Sequence, residues 1–313
     1  WIAFAMHAAG IVATLFATDL TSLFVATLFM GLGNGMVEAV CNPLVASMYP
    51  REKTKMLNRF HLWFPGGIVI GSIAGYVLMD VAGLGWQVLV GSLFIPLVVY
   101  GYLVWGQTFP RTERVEMGVS TADSLKSLVT PLYLFIGVCM MMSAATELGT
   151  TQRIESLLAA TGVNALLVLA FINGIMMIGR AFAGPINQRI STVGMLWFSA
   201  IVSFLGLQLL AGASGAFVFV AAAVFALGIT FFWPTTLAFI SENKPESGAF
   251  GLSIMGGLGM LSVSVVLPSM GRVLENAEGT EALRTMSILP AILIVFYGAL
   301  FFLRRSKAAS SAA

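Results

Sequence analysis

The sequence predicts an all-α integral membrane protein, on three observations. Hydrophobic residues make up 58% and charged residues 10% of the 313 residues, whereas soluble domains carry about 25% charged residues. Uncharged runs of 20 residues or more recur along the chain, the length that a helix needs to cross a bilayer core about 30 Å thick. The 33 glycines are typical of membrane helices, where small residues let backbones approach closely.

The uncharged runs predict ten transmembrane helices. Twenty uncharged residues separate Arg59 from Asp80, for example, and 30 separate Asp80 from Arg111. The longest run, 190–241, holds 52 residues and accommodates two crossings joined by the small-residue turn 211–215. In chain order the predicted helices lie at about 1–17, 21–47, 58–79, 85–107, 128–154, 163–184, 192–210, 215–240, 248–271 and 285–304.

The distribution of Lys and Arg predicts the orientation. The segments that follow the even-numbered helices hold 13 of these residues and the opposite side holds 3, so we expect the first side, with the C-terminus, to be cytoplasmic. We assign residues 1–108 to four helices of an incomplete N-terminal bundle and 109–127 to a cytoplasmic central linker. Residues 128–304 form a six-helix C-terminal bundle, and 305–313 a cytoplasmic tail.

A weak internal repeat supports two bundles. Asn42-Pro43 precedes Gly66-Gly67 much as Trp233-Pro234 precedes Gly256-Gly257, with a proline-to-glycine offset of 23 and 22 residues. Such half-to-half similarity is typical of duplicated transporter bundles. If six helices form the repeating unit, two more precede Trp1, so that ten of twelve are present.

The clearest candidate functional residue is Glu38, which follows 18 uncharged residues. An ionisable group at membrane depth is costly and indicates function by default. Asn34 and Asn42 lie four residues to either side and share its helical face. This stripe of amides and one carboxyl suits a hydroxyl-rich solute, and Glu38 could carry a proton. The alternative is a structural carboxyl that joins helices.

A second polar set, Ser143, Glu147 and Thr151, repeats every four residues near the end of the fifth helix. It predicts either a face lining a cavity in the outer half of the membrane or a helix end already in water. His61 is a candidate gate or binding residue, with an interfacial histidine as the alternative. Asn173 lies deep enough in the sixth predicted helix to contact a solute. Arg180, on the same helical face, is interpreted as an anchor at the cytoplasmic surface.

The segment Phe231-Phe232-Trp233-Pro234 could break a helix and present Trp233 to a sugar ring, although lipid-facing aromatic residues would look the same. His7, Cys41 and Cys139 are interpreted as structural. No phosphate-binding loop and no HExxH, GxSxG or CxxC motif occurs in the sequence. The sequence therefore predicts neither an enzyme nor a bound metal or cofactor.

Two motifs resemble the major facilitator superfamily. The segment from Gly179-Arg180 through Gly184 to Arg189 resembles the degenerate second copy of the family's cytoplasmic loop motif, with Asn187 or Gln188 at the expected acidic position. The run from Gly35 through Glu38 to Asn42-Pro43, followed by Leu57-Asn58, resembles the fucose permease branch of fucose–galactose–proton symporters. In that branch polar residues follow Leu-Asn, where this sequence has His61 and apolar Phe64.

The resemblance implies a two-bundle fold in which Glu38 couples protons and contacts the substrate. We expect a secondary active transporter, a proton-coupled symporter of a small polar solute such as a sugar or polyol, working by alternating access. Its expected partners are the solute, the proton and the lipid bilayer, with no nucleic acid; we expect a monomer in the cell membrane, a bacterial inner membrane. The alternatives are an exporter or antiporter of amphipathic or drug-like compounds and a non-transporting membrane receptor. The proposed binding residues are Asn34, Glu38, Asn42, His61, Ser143, Glu147, Thr151, Asn173 and Trp233.

Overall fold

The fold, given by a computed structural model that describes residues 1–276 and 279–312, consists of helices joined by turns and loops, and that part of the chain contains no strand. Among these described residues, eight helices are long and apolar enough to span a membrane, and two shorter apolar helices, Ile2–Leu15 and Ala165–Ala181, accompany them. We number the ten α1 (Ile2–Leu15), α2 (Leu20–Met48), α3 (Lys53–Val81), α4 (Trp86–Val104), α5 (Pro131–Gly149), α6 (Ala165–Ala181), α7 (Ala183–Gly212), α8 (Phe217–Asn243), α9 (Pro245–Arg272) and α10 (Gly279–Ser306).

Shorter helices fill the connections. Glu113–Glu116 and Thr121–Ser127 lie between α4 and α5, and Ile154–Leu158 follows α5. The entry to α2 is a reciprocal cap, in which Ser22 N donates to Asp19 Oδ1 at 2.8 Å and Asp19 N donates to Ser22 Oγ at 3.1 Å. The hydrogen bond from the Ser22 backbone lowers the pKa of the Asp19 carboxyl, because it stabilises the charged form. This cap places the start of α2 within one residue of the position that the sequence predicts.

Two prolines interrupt their helices in the same way. α3 breaks at Leu62, three residues before Pro65, and α8 breaks at Thr230 and Phe231, just before Pro234. Proline has no N–H to donate to the carbonyl four residues earlier. The carbonyl oxygens of His61 and Thr230 therefore lose their helical donors, and each must find another partner because buried backbone groups are costly to leave unpaired.

The connection between α6 and α7 contains more helix than predicted. The sequence places a turn between residues 184 and 192, whereas a first turn is at Phe182 and residues 183–190 are helical again. The kink comes at Ser191, a non-glycine residue with φ 66°, and its hydroxyl accepts a bond from Gly194 N at 3.3 Å. Between the turn at Phe182 and the kink the chain is helical over 183–190, which spans roughly 12 Å at 1.5 Å per residue.

Glycines set the closest helix approaches. In the crossing of α7 and α8, a Cβ on Gly206 would overlap the Phe225 backbone and one on Gly228 would overlap Ser203. Large buried cores join α5 through α10, while α2 and α3 pack against α6, α7, α8 and α9. The polar residues described next lie along this second interface.

Candidate functional site

Arg180 is the polar centre of the interface. Its side chain on α6 is 1% exposed, and its Nη2 lies 3.0 Å from Oε1 of Glu147 on α5, which is 3% exposed. The prediction that Arg180 is a cytoplasmic anchor is wrong, because its side chain is buried and bonded to residues of three other helices. The prediction that the end of α5 is already in water is also wrong for Glu147.

The guanidinium of Arg180 also donates hydrogen bonds to both carbonyls that have no helical donor because of the prolines. Arg180 Nε donates to Thr230 O at 2.8 Å, and Nη1 donates to His61 O at 3.0 Å. One carbonyl belongs to α8 and the other to α3, so a single side chain from α6 ties together two broken helices on opposite sides of the interface. Arginine suits this role because its planar group presents several donors in a fixed geometry.

Glu38 approaches this centre from α2. Its side chain is half-buried and within electrostatic range of both Arg180 and Glu147. A Cβ placed on Gly256 of α9 would lie 3.4 Å from Glu38 Oε2 and 3.8 Å from the Trp233 ring. The carboxyl and the indole ring therefore meet at the same bare stretch of α9.

The Trp233 ring is seated by a second glycine. A Cβ on Gly259 would lie 2.8 Å from the ring and 3.1 Å from Met140. The indole Nε1 is buried and has no hydrogen-bond partner within the described residues, although the ring lies beside the Glu38 carboxyl. The predicted helix break at this segment is confirmed, and Trp233 faces the protein interior with 7% exposure.

Asn42 and His61 form a buried pair that links α2 to α3. The distance from His61 Nε2 to Asn42 Oδ1 is 2.9 Å, and because an amide oxygen only accepts, Nε2 carries the proton. The backbone carbonyl of the same histidine accepts from Arg180. His61 thus connects the amide of α2 to the arginine of α6.

Asn34 lies apart from this group. It is exposed, and its Oδ1 is 3.1 Å from Nε2 of His7 on α1, whose Nδ1 is 3.0 Å from the Tyr100 hydroxyl on α4. A Cβ on Gly33 would overlap the His7 ring. His7 is therefore structural, as the sequence indicates, and Asn34 takes part in holding α1, α2 and α4 together.

Three further candidates are bonded locally. Ser143 donates to Cys139 O at 2.8 Å and lies 3.3 Å from the Tyr297 hydroxyl on α10. Thr151 donates to Glu147 O, and Asn173 to Leu169 O, both at 2.8 Å within their own helical segments. The structure brings Glu38, Asn42, His61, Glu147 and Trp233 together around Arg180, and it leaves these three outside that group.

Asn58 is a polar residue that the site prediction did not include. Its Nδ2 donates to Thr54 O at 2.8 Å and to Thr235 Oγ1 on α8 at 3.2 Å, so it also crosses the interface. Its place directly after Leu57, in the Leu-Asn pair of the resemblance, was the available signal. It lies one helical turn before His61 on α3.

Several buried polar atoms of α3, α8 and the α5 region have no hydrogen-bond partner in the described part of the chain. An unmet buried polar group costs about 1–3 kcal/mol, so such atoms mark positions where a bound molecule can supply the missing bond. They come from α3, the α5 region and α8: Asn58 Oδ1, Glu147 Oε2, Thr150 Oγ1, Trp233 Nε1 and Thr236 Oγ1.

Ionisable side chains and amides that converge between packed helices of a membrane protein indicate a functional site within the membrane. The family model of the Major Facilitator Superfamily matches residues 1–267, and the chain belongs to that superfamily. No curated protein matches the chain by sequence.

Solved structures confirm the fold. The Escherichia coli fucose–proton symporter superposes with a TM-score of 0.75 at 16% identity, covering 94% of this chain and 81% of that one. A proton–xylose symporter bound to 6-bromo-6-deoxy-D-glucose gives 0.78 at 12% identity, covering 96% and 79%. A human organic anion transporter gives 0.68 at 12% identity, covering 95% and 75%. The chain is thus a multi-pass membrane transporter of this fold, as the resemblance to the fucose permease branch predicts.

Proposed function

We propose that the protein is a proton-coupled symporter of a small polar solute, a sugar or polyol. The observation that carries the proposal is the position of Glu38: a half-buried carboxyl at the interface, beside Trp233 and within electrostatic range of Arg180 and Glu147. In this proposal Glu38 binds a proton and the solute together. Neutralising the carboxyl lets the bundles close over the loaded site and open it to the other side, because an unpaired charge in a closed site within the membrane is costly.

The solute-binding surface that we propose combines an aromatic face with unmet polar atoms. The Trp233 ring is a flat apolar platform for the C–H face of a sugar, and its Nε1 is a free donor for a hydroxyl. Glu147 Oε2 and Asn58 Oδ1 are buried acceptors without partners among the described residues. Donors and acceptors together suit hydroxyl groups, which do both, and favour such a solute over an amphipathic one.

Asn42 and His61 position the site in this proposal. The hydrogen bond between Asn42 and His61 holds α2 against α3 next to Glu38. The His61 carbonyl accepts a hydrogen bond from Arg180, so this pair also fixes the position of Arg180. Two of the structural neighbours, the fucose–proton and xylose–proton symporters, are by their names proton-coupled carriers of sugars. Asn34, Ser143, Thr151 and Asn173 remain candidate contacts for other conformations of the cycle.

The proposal includes the architecture that the sequence predicts. Residues 1–108 supply four helices of one bundle and 128–304 the six helices of the other, joined by the linker 109–127. The tail 305–313 is cytoplasmic by the Lys and Arg distribution. The protein acts as a monomer in a bacterial inner membrane.

The test is substrate-induced proton uptake in proteoliposomes that contain the full-length protein and an internal pH-sensitive dye. L-Fucose, D-galactose, D-xylose and D-mannitol serve as probes. We expect at least one probe to acidify the lumen with the wild type and with Glu155→Gln, an exposed control carboxyl. We expect Glu38→Gln to lose the acidification while retaining exchange of labelled solute down its own gradient. Acidification by Glu38→Gln equal to that of the control would remove Glu38 from the coupling step.

A further inference from the structure

A large cavity lies on the outside of the C-terminal helices, away from the site above. Its volume is about 940 Å³, and it opens where the kink at Ser191 separates the two segments of α7 beside the ends of α8 and α10. Its walls combine charged residues at the helix ends with aromatic residues nearer the middle of the helices. No residue proposed for solute binding lines it.

The charged part of the cavity is strongly positive. Arg189 and Arg305 line it, are exposed, and form no ion pair or hydrogen bond with another described residue. Arg304 also lines it, with its Nη2 2.7 Å from Asn243 Oδ1 and its guanidinium 4.6 Å from the centre of the Phe239 ring. Two arginines are therefore available to an anion, and the third is held in place beside them.

The acid in the lining offsets only one of the three arginines. Glu242 Oε1 accepts from Thr54 at 2.6 Å and its Oε2 from Thr192 at 3.1 Å, and its charge acts on Arg304. Arg189 and Arg305 therefore leave an excess of two positive charges that an anionic partner can neutralise.

The apolar part of the cavity continues from the arginines along α7 and α10. The Trp197 ring stacks on Phe301 with centroids 5.4 Å apart and an angle of 30°, and Phe198 is 40% exposed beside it. Tryptophan is enriched at the level of lipid headgroups, where an apolar ring meets a polar boundary. Arginines at the helix ends above an aromatic wall match a molecule with an anionic head and an apolar chain.

We propose that this cavity binds one anionic phospholipid. Its phosphate lies between Arg189 and Arg305, and an acyl chain lies against Trp197 and Phe198. A soluble anion would use the arginines alone and would leave the aromatic wall uncovered, so the occupant is a lipid. Basic pockets between membrane helices at the headgroup level bind anionic lipids on this principle.

The test uses full-length protein in phosphatidylcholine vesicles doped with brominated phosphatidylglycerol, which quenches nearby tryptophan. Each arginine at a lipid surface contributes roughly a five-fold change in affinity, so Arg189→Gln with Arg305→Gln should weaken binding by about 25-fold. The matched control is Arg51→Gln with Arg59→Gln, two exposed arginines outside the cavity lining. Trp197→Phe should remove a saturable part of the quenching of the six tryptophans.

Three outcomes would overturn the proposal. Equal weakening by the two double variants would mean attraction to the membrane surface in general. Equal quenching by brominated phosphatidylcholine would mean no selection for an anionic head. Release of the quenching by inorganic phosphate would mean a site for a soluble anion. Saturable, phosphate-resistant quenching that depends on Arg189, Arg305 and Trp197 supports the lipid site.

Discussion

The bridge formed by Arg180 allows a quantitative test through Arg180→Met. The substitution keeps a long side chain but removes the charge and all three bonds, to Glu147, Thr230 O and His61 O. Breaking a buried ion pair by removing one partner costs about 3–5 kcal/mol. Each buried carbonyl left unpaired adds about 1–3 kcal/mol. We therefore expect the free energy of unfolding to fall by about 5 kcal/mol or more.

A more specific test is the change in the free energy of unfolding that Glu147→Gln causes in two backgrounds, the wild type and Arg180→Met. With Arg180 present, the change leaves the buried guanidinium without its carboxylate and should cost about 3–5 kcal/mol. With Arg180→Met present, the same change removes an uncompensated buried carboxylate, so it should restore about 3 kcal/mol. The sign of the effect reverses because the two side chains act as one unit.

The assay is reversible unfolding in mixed micelles, followed by tryptophan fluorescence for the wild type, both single variants and the double variant. Arg59→Met, at an exposed position, is the control and should change stability by no more than about 0.5 kcal/mol. An equal cost of Glu147→Gln in both backgrounds would refute the coupling. A cost of Arg180→Met as small as the control's would refute the bridge itself.

Three further predictions follow from the glycines and the cap. Gly259→Ala should displace the Trp233 ring and reduce the initial rate of solute uptake into proteoliposomes. The control Gly257→Ala should leave that rate unchanged, because its Cβ would meet nothing within 4 Å. Gly33→Ala should destabilise the protein by about 1–3 kcal/mol through overlap with His7, with Gly31→Ala, which has open space, as the unfolding control. Because its hydrogen bond from Ser22 lowers the pKa of Asp19 from the ordinary 3.8, the charged cap should stabilise the start of α2 above that pH and be lost as the pH falls through the lowered pKa. Hydrogen exchange of the first turn should show this loss in the wild type and not in Asp19→Asn, whose cap does not titrate.

The sequence by itself determined that the protein folds in a lipid bilayer and where along the chain its helices lie. Long uncharged runs can satisfy their backbone groups in lipid only as helices, so each predicted segment overlaps an apolar helix of the structure. It also indicated Glu38 and the break before Pro234, because a buried carboxyl and an internal proline are local signals. The turn that it placed between residues 184 and 192 includes the non-helical Ser191, but the polar residues 187–189 before it are helical and do not form a loop.

Only the tertiary structure decided which polar groups meet. Pairing Glu147 with Arg180 requires the depth and rotation of α5 and α6 relative to each other, and periodicity within each helix does not fix these. The sequence shows that Pro65 and Pro234 each leave a carbonyl oxygen without a helical donor. It does not show that one residue donates to both carbonyls. Arg180 became that donor because packing brought α3, α6 and α8 together, and in a protein interior a charge is stable only where such partners converge.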